Sequence, residues 1–165
     1  MSMDKIVSTL EKLERLHRSL LDVCVKKTEV IKESDIEGLN NMLKSEQTHI
    51  AAIERLEQQR QVEVTDYLRA KGFAPTEAPT VAQLIEAAPM DQKETLQQMR
   101  TRLIVVIDEL KKRNDLNQKM IFQSLQFVNI TLDLVQPRPE QMNYSSDIGG
   151  QAPQQQKKSY FDSQA

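Results

Sequence analysis

Apolar residues recur along the first part of the chain with the period of a long helix packed lengthwise on other helices. From Met3 to about Lys32 the positions are spaced by three, four and seven residues, the pattern of a heptad seam. They are Ile6, Leu10, Leu13, His17, Leu20, Cys24 and Ile31. About 30 residues at 1.5 Å per residue predict a first helix ~45 Å long.

A second long helix is predicted after a short polar break. Ser34 and Glu37 have the spacing of a capping box, in which hydroxyl and carboxylate each accept a backbone N–H. Its seam consists of Leu39, Leu43, Ile50, Ile53, Leu56, Val64 and Leu68. Lys71 and Gly72 supply a cation and a glycine that suit a helix end. Because only a few residues connect the two helices, we expect antiparallel neighbours.

Two further helices are predicted after the loop FAPTEAP at residues 73–79. Thr80 and Gln83 can cap a short helix, TVAQLIEAA, whose apolar residues would cover one end of a bundle. They are Val81, Leu84 and Ile85. The longest helix follows over about residues 91–135, since Pro137 cannot continue it.

The last stretch, PRPEQMNYSSDIGGQAPQQQKKSYFDSQA, has too few aliphatic residues to compensate for the entropy lost on ordering. We therefore expect a helical domain at residues 1–136 and a flexible tail at 137–165. Tyr144, Tyr160 and Phe161 are isolated aromatics suited to short recognition segments. The predicted fold is all-α: an antiparallel bundle of three long helices plus one short helix, with an extended last helix.

The last helix has a core seam that we expect to be buried along its whole length. At 100° per residue its members share a band about 100° wide. They are Leu96, Met99, Leu103, Val106, Leu110, Asn114, Asn117, Ile121, Leu125, Val128, Leu132 and Val135. The two asparagines interrupt it. They either fix the helix register or simply find hydrogen-bond partners.

A second seam lies about 130° away, on the C-terminal third of the same helix. It consists of Leu116, Met120, Phe127, Ile130 and Leu134, while Phe122 lies off both seams. One interpretation packs it inside a three-helix bundle, where each helix touches two others. The other follows from length, because a last helix of ~67 Å outruns a first helix of ~45 Å and leaves turns that need a partner. Such a surface suits helix-in-groove binding.

Composition and charge narrow the class of protein. A net charge of −2 gives no basic footprint for nucleic acid. The single cysteine, Cys24, excludes an internal disulfide and suits a reducing cytosol. The first residues, MSMDKIVSTLEKLE, contain no apolar run, so we expect no signal peptide. No apolar stretch approaches the ~20 residues of a membrane span. We expect a cytoplasmic protein without direct membrane insertion.

The residue pattern contains few candidates for a catalytic or metal-binding site. His17 occupies a seam position typical of packing, and His49 lacks the following Lys-Gly of a phosphotransfer domain. Glu14 with His17, and Glu46 with His49, have the Glu-x-x-His spacing of a di-metal bundle. Such a site also needs an inward glutamate from each of two other helices, and the last helix offers none in its core seam. We expect no catalytic, cofactor-binding or metal-binding residues, and therefore no enzyme.

Several stretches resemble one family of helical proteins. The last helix contains RNDLNQKMIFQSLQFVNITLDLV, the tail contains NYSSDIGG and KKSYFDSQA, and the second helix contains LNNMLKSEQTHIAAIERLE. Together they resemble the FlgN family of flagellar export chaperones over nearly the whole chain.

The resemblance implies a cytosolic chaperone for the hook-associated proteins that join hook to filament. It would mask their aggregation-prone terminal helices and deliver them to the export apparatus. Tyr144 matches a tail tyrosine that contacts the export gate, the cytoplasmic domain of a membrane protein. The expected client contacts are Leu116, Met120, Phe122, Phe127, Ile130 and Leu134. The alternatives are a structural coiled-coil protein whose second seam closes a homodimer, and a phosphotransfer bundle acting through His49.

Overall fold

A computed structural model describes residues 2–135 of the chain and contains helices as its only regular elements over that range. They are α1 (Met3–Lys32), α2 (Ile36–Ala70), α3 (Val81–Ala87) and α4 (Met90–Val135). The predicted all-α fold is confirmed, with three long helices and a short one. The predicted tail at 137–165 lies outside the described residues.

Local hydrogen bonds explain where three of the helices begin or end. Ser2 Oγ accepts the backbone N–H of Asp4 at the start of α1. Thr80 and Gln83 form the predicted reciprocal capping box, with N–H to side-chain oxygen distances of 3.2 and 3.0 Å. Gly72 follows α2 with φ +82°, a left-handed conformation that glycine adopts without steric cost. The sequence signals at Thr80, Gln83 and Gly72 are therefore confirmed.

The predicted capping box of Ser34 and Glu37 is wrong by one residue. Asp35, not Ser34, caps α2: its Oδ1 accepts the backbone N–H of Gly38 at 2.9 Å. Ser34 has φ 55°, and the N–H of Asp35 donates to the carbonyl of Val30 at 3.0 Å. That bond belongs to the end of α1. Only residues 33–35 join the two helices. Ser34 adopts the conformation that ends α1, so the next residue, Asp35, caps α2.

α2 packs against α1 in the predicted antiparallel direction. Thr9 Oγ1 near the start of α1 donates to Glu63 Oε2 near the end of α2, at 2.8 Å. Lys27 near the end of α1 pairs with Glu46 in the first half of α2, with Nζ 3.1 Å from each carboxylate oxygen. The two helices therefore lie side by side along most of their lengths.

α4 packs on another side of α1 and runs parallel to it. Arg102 Nε donates to both carboxylate oxygens of Glu14 at 3.1 Å, and Asn117 lies beside Thr28 further along both helices. Along their whole described lengths, no Cα atom of α2 comes within 8 Å of one in α4. The backbones of α2 and α4 therefore lie further from each other than from α1, the middle helix, while their side chains share the core cluster near α3.

The apolar core is concentrated at one end of the molecule. There α3 covers the ends of the long helices, with Val81 and Leu84 buried as predicted. The main cluster comprises Met3, Ile6, Leu10, Leu13, Val64, Tyr67, Leu68, Val81, Leu84, Ala88, Leu96, Met99 and Leu103. Toward the other end only Leu20, Cys24 and Leu110 form a second, smaller cluster of buried residues. The core therefore tapers away from α3.

The cap of α2 provides a stability test that separates Asp35 from Ser34. Asp35→Ala removes the acceptor for the Gly38 N–H and should lower the free energy of unfolding by about 1 kcal/mol. Ser34→Ala keeps that acceptor and should change it by less than about 0.5 kcal/mol. Urea unfolding followed by circular dichroism at 222 nm measures both. A larger loss for Ser34→Ala would contradict the assignment.

Candidate functional site

A buried polar contact joins α1 to α4 where the core ends. Asn117 is fully buried, its Nδ2 donates to the carbonyl of Cys24 at 3.0 Å, and its Oδ1 accepts from Thr28 Oγ1 at 2.6 Å. Asn114, one turn earlier, is only half-buried. Both hydrogen-bonding ends of the Asn117 amide are thus satisfied, as a buried amide requires.

The neighbouring contact between α1 and α2 is also polar. Lys27 is only 6% exposed and pairs with Glu46, whose Oε1 lies 3.5 Å from the Cys24 thiol. Burial, with the Glu46 charge as the next cause, raises the pKa of Cys24 to about 12. The thiol therefore stays protonated at neutral pH and is a poor nucleophile.

Beyond this polar level α4 continues without α1. Because Thr28 contacts Asn117 and the helices are parallel, the last residue of α1, Lys32, lies level with roughly residue 121. The segment from Phe122 to Val135, here called the projecting segment, adds fourteen residues and about 21 Å. All fourteen are exposed.

The expectation that the core seam is buried along the whole of α4 is wrong beyond Ile121, which is itself half-buried. We call the part from Ile121 onward the distal core seam. Its exposed fractions are 57% for Leu125, 49% for Val128, 50% for Leu132 and 75% for Val135. The periodicity continues, but α1, which covers this seam upstream, stops at Lys32.

The six side chains predicted to contact a client lie on the same part of α4. Met120 is half-buried, and the other five are exposed large apolar residues. Their exposed fractions are 42% for Leu116, 61% for Phe122, 71% for Phe127, 60% for Ile130 and 81% for Leu134. Met120 is therefore partly covered, whereas no helix of the described chain covers Phe127, Ile130 and Leu134, so this part of the seam does not pack inside the bundle.

Two hydroxyl side chains lie in the narrower gap between the seams and are satisfied within the helix. Ser124 Oγ donates to the carbonyl of Met120, and Thr131 Oγ1 donates to that of Phe127, both at 2.9 Å. Neither hydroxyl needs an external partner. At 100° per residue the two seams and this gap form an almost continuous apolar arc of about 220°. The remaining sector carries Phe122 and the polar residues Gln126, Asn129 and Asp133.

The area of this arc limits how tightly it can bind. Fully burying a Val, Leu, Ile or Phe side chain contributes about 1.5–3 kcal/mol, so covering the exposed fractions contributes roughly 1–2 kcal/mol each. Each seam has four such exposed side chains, giving about 4–8 kcal/mol before the association cost of about 4–15 kcal/mol. One seam is therefore marginal, and a stable complex needs most of the arc.

Both histidines have structural hydrogen bonds. His17 is buried, its Nδ1–H donates to the carbonyl of Leu13 at 2.7 Å, and burial lowers its pKa, which confirms the predicted packing role. His49 Nδ1–H donates to the Ser45 carbonyl at 2.7 Å, and Ser19 Oγ lies 2.8 Å from its Nε2. Both ring nitrogens of His49 are therefore engaged in contacts within the bundle.

The two Glu-x-x-His pairs do not converge on a metal site. Glu14 is bound by Arg102 and Arg18, and Glu46 by Lys27. Within residues 2–135 no group of three His, Cys, Asp or Glu side chains is arranged to hold a metal ion. None of the helices over that range is long and apolar enough to cross a membrane.

The described residues form an all-α protein whose longest helix carries an uncovered apolar arc at one end. The profile of the family described as "FlgN protein" matches residues 1–152, and the chain belongs to the FlgN family of flagellar export chaperones, which bind flagellar client proteins. A Bacillus subtilis (strain 168) protein described as "Uncharacterized protein YvyG" is 33% identical over 165 residues, which is 100% of both chains. No solved structure matches the chain.

The buried amide at the base of the projecting segment provides a second stability test. Asn117→Ala removes both of its hydrogen bonds and should lower the free energy of unfolding by about 1–3 kcal/mol. Asn114→Ala, at a half-buried position one turn earlier, is the matched control and should cost less than about 1 kcal/mol. Urea unfolding compares them, and equal losses would contradict a specific role for Asn117.

Proposed function

We propose that this protein is a cytoplasmic type III export chaperone for hook-associated proteins, the proteins of the hook–filament junction. It binds an amphipathic terminal helix of the client, prevents premature aggregation and delivers the client to the export apparatus. The observation that carries this proposal is the second seam, which lies uncovered on the projecting segment. Family membership supports the general role, and the exposed side chains support the binding mode.

The chemistry of the projecting segment suits an amphipathic helix. Asp133 is the single charged residue among its fourteen residues, so a client helix would displace little tightly held water. The exposed positions Phe127, Ile130 and Leu134 have the three- and four-residue spacing that a partner helix meets along its length. Ordering the client helix lowers the net affinity, which suits cargo that must be released at the export apparatus.

A homodimer remains the second candidate, because the same uncovered seams could pair two copies of the chain. Multi-angle light scattering over a range of concentrations separates the two functions. A mass that stays at one chain of 19.0 kDa favours the chaperone. A mass that doubles at micromolar concentration, and changes to that of one chain plus one client when client is added, would mean that the seam forms an exchangeable dimer contact. A dimer that excludes client favours the structural role.

Replacing Phe127 and Ile130 together with aspartate tests the second seam. Client binding should fall at least a hundredfold, because two buried charges would face the client helix unpaired. Calorimetric titration with a purified hook-associated protein measures the affinity. The control is Gln126→Asp with Asn129→Asp, which adds the same two charges to the polar sector of the same turns and should leave the affinity within about threefold.

Two results would contradict this assignment of the second seam. One is a wild-type affinity for the Phe127/Ile130 variant. The other is loss of its helical circular dichroism and cooperative unfolding, which would make the seam part of the core.

The tail is proposed to contact the export gate through Tyr144, an inference from the family resemblance. Tyr144 lies outside the described residues. Tyr144→Ala should weaken binding to the purified cytoplasmic domain of the gate at least tenfold and leave client affinity unchanged, because the client seams lie on α4. Surface plasmon resonance measures both. Replacement of Tyr160 with alanine is the control for a second tail tyrosine. Equal losses for the two variants would contradict a specific role for Tyr144.

A further inference from the structure

The distal core seam continues an interface that already exists in the molecule. Ile121, Leu125, Val128, Leu132 and Val135 are spaced by four, three, four and three residues, in register with the seam that α1 covers upstream. A helix lying on them would continue the line of α1 beyond Lys32. We propose that this seam binds a second helix of the client, so that the projecting segment lies between two client helices. This inference rests on the proposed function.

α1, the middle helix of the bundle, is an example of a helix that lies between two neighbouring helices. α1 contacts α2 through Thr9 and Lys27, and α4 through Glu14 and Thr28. At 100° per residue these two faces of α1 are about 120° apart. The two uncovered seams of the projecting segment are about 130° apart. The two seams of the projecting segment are therefore separated by nearly the same angle as the two contact directions of α1, with apolar side chains in place of the polar contacts of α1.

A single client helix cannot cover both the second seam and the distal core seam. A helix covers a band about 100° wide, so one helix on the second seam would leave the distal core seam in water. The area of either seam alone gives only marginal binding, as argued above. Both seams must therefore be covered for a stable complex, which requires two helices at once.

The client is a better source of two helices than a second copy of this chain. In each copy α1 already lies between α2 and α4, and α3 covers the opposite end. A second copy therefore offers its own projecting segment, which is one helix and would cover one seam. A client that presents two apolar helical stripes with few facing charges matches the projecting segment, in which Asp133 is the single charged residue.

Site-specific photo-cross-linking tests where each seam binds. A benzophenone amino acid replaces Leu125 on the distal core seam, Phe127 on the second seam, or Asn129 in the polar sector as control. Each full chain is irradiated with a purified, full-length hook-associated protein, and mass spectrometry locates the cross-links. We expect Leu125 and Phe127 to mark two different helices of one client molecule, with at least tenfold less product from Asn129.

The affinity of seam variants for the client tests the inference independently of the cross-linking. Leu125→Gln with Leu132→Gln should weaken binding of the same client at least tenfold, whereas Gln126→Ala with Asn129→Ala should change it by less than about threefold. Because all four positions are exposed in the free chain, the variants should keep the wild-type circular dichroism and unfolding midpoint.

Each other outcome overturns the inference in a distinct way. Cross-links from Leu125 and Phe127 to one client helix would show single-helix binding and leave the proposed function intact. Cross-links to another copy of this chain would make the seam a dimer contact. Wild-type affinity of the Leu125/Leu132 variant would exclude the distal core seam from client binding. Absence of binding by the wild-type chain would overturn the proposed function itself.

Discussion

The position of α4 along α1 depends on one buried amide. Apolar heptad seams remain in contact when one helix slides by seven residues, because the same pattern repeats. Asn117 removes that freedom, since its amide meets the Cys24 carbonyl and the Thr28 hydroxyl in this register, and sliding would leave it buried without partners at a cost of about 1–3 kcal/mol. The register in turn decides which residues of α4 pass beyond Lys32.

The molecule separates its packed core from its exposed apolar surface along the length of α4. At the α3 end, thirteen buried residues form one cluster. Toward the other end α2 has no buried residue before Arg60, and α4 has none after Asn117. A protein of this size needs a well-packed core somewhere, since net stability is a small difference between large terms. Concentrating that core near α3 allows the projecting segment to remain uncovered without loss of the fold.

Sequence periodicity predicted the helices and most of their ends, because these depend on local spacing and local hydrogen bonds. Thr80, Gln83 and Gly72 act where the pattern places them. The Asp35 cap was missed, and Ser34 was predicted in its place, because a capping motif does not show that the ends of two helices compete for one short connection. The burial of the distal core seam was mispredicted for a related reason: a seam records that a side chain suits an apolar contact, not which chain supplies it.

The continuous seam also explains how a binding site can be built without a pocket. Upstream of Asn117 the core seam is covered by α1, and beyond Ile121 side chains with the same spacing are exposed. Under the proposed function, client binding would extend the packing of the bundle with helices from another chain, using contacts of the kind that hold α1 to α4. Such contacts are apolar and carry little charge, so their strength depends on the area covered. Two marginal seams acting together give retention, and loss of either one favours release, which is the behaviour that an export chaperone requires.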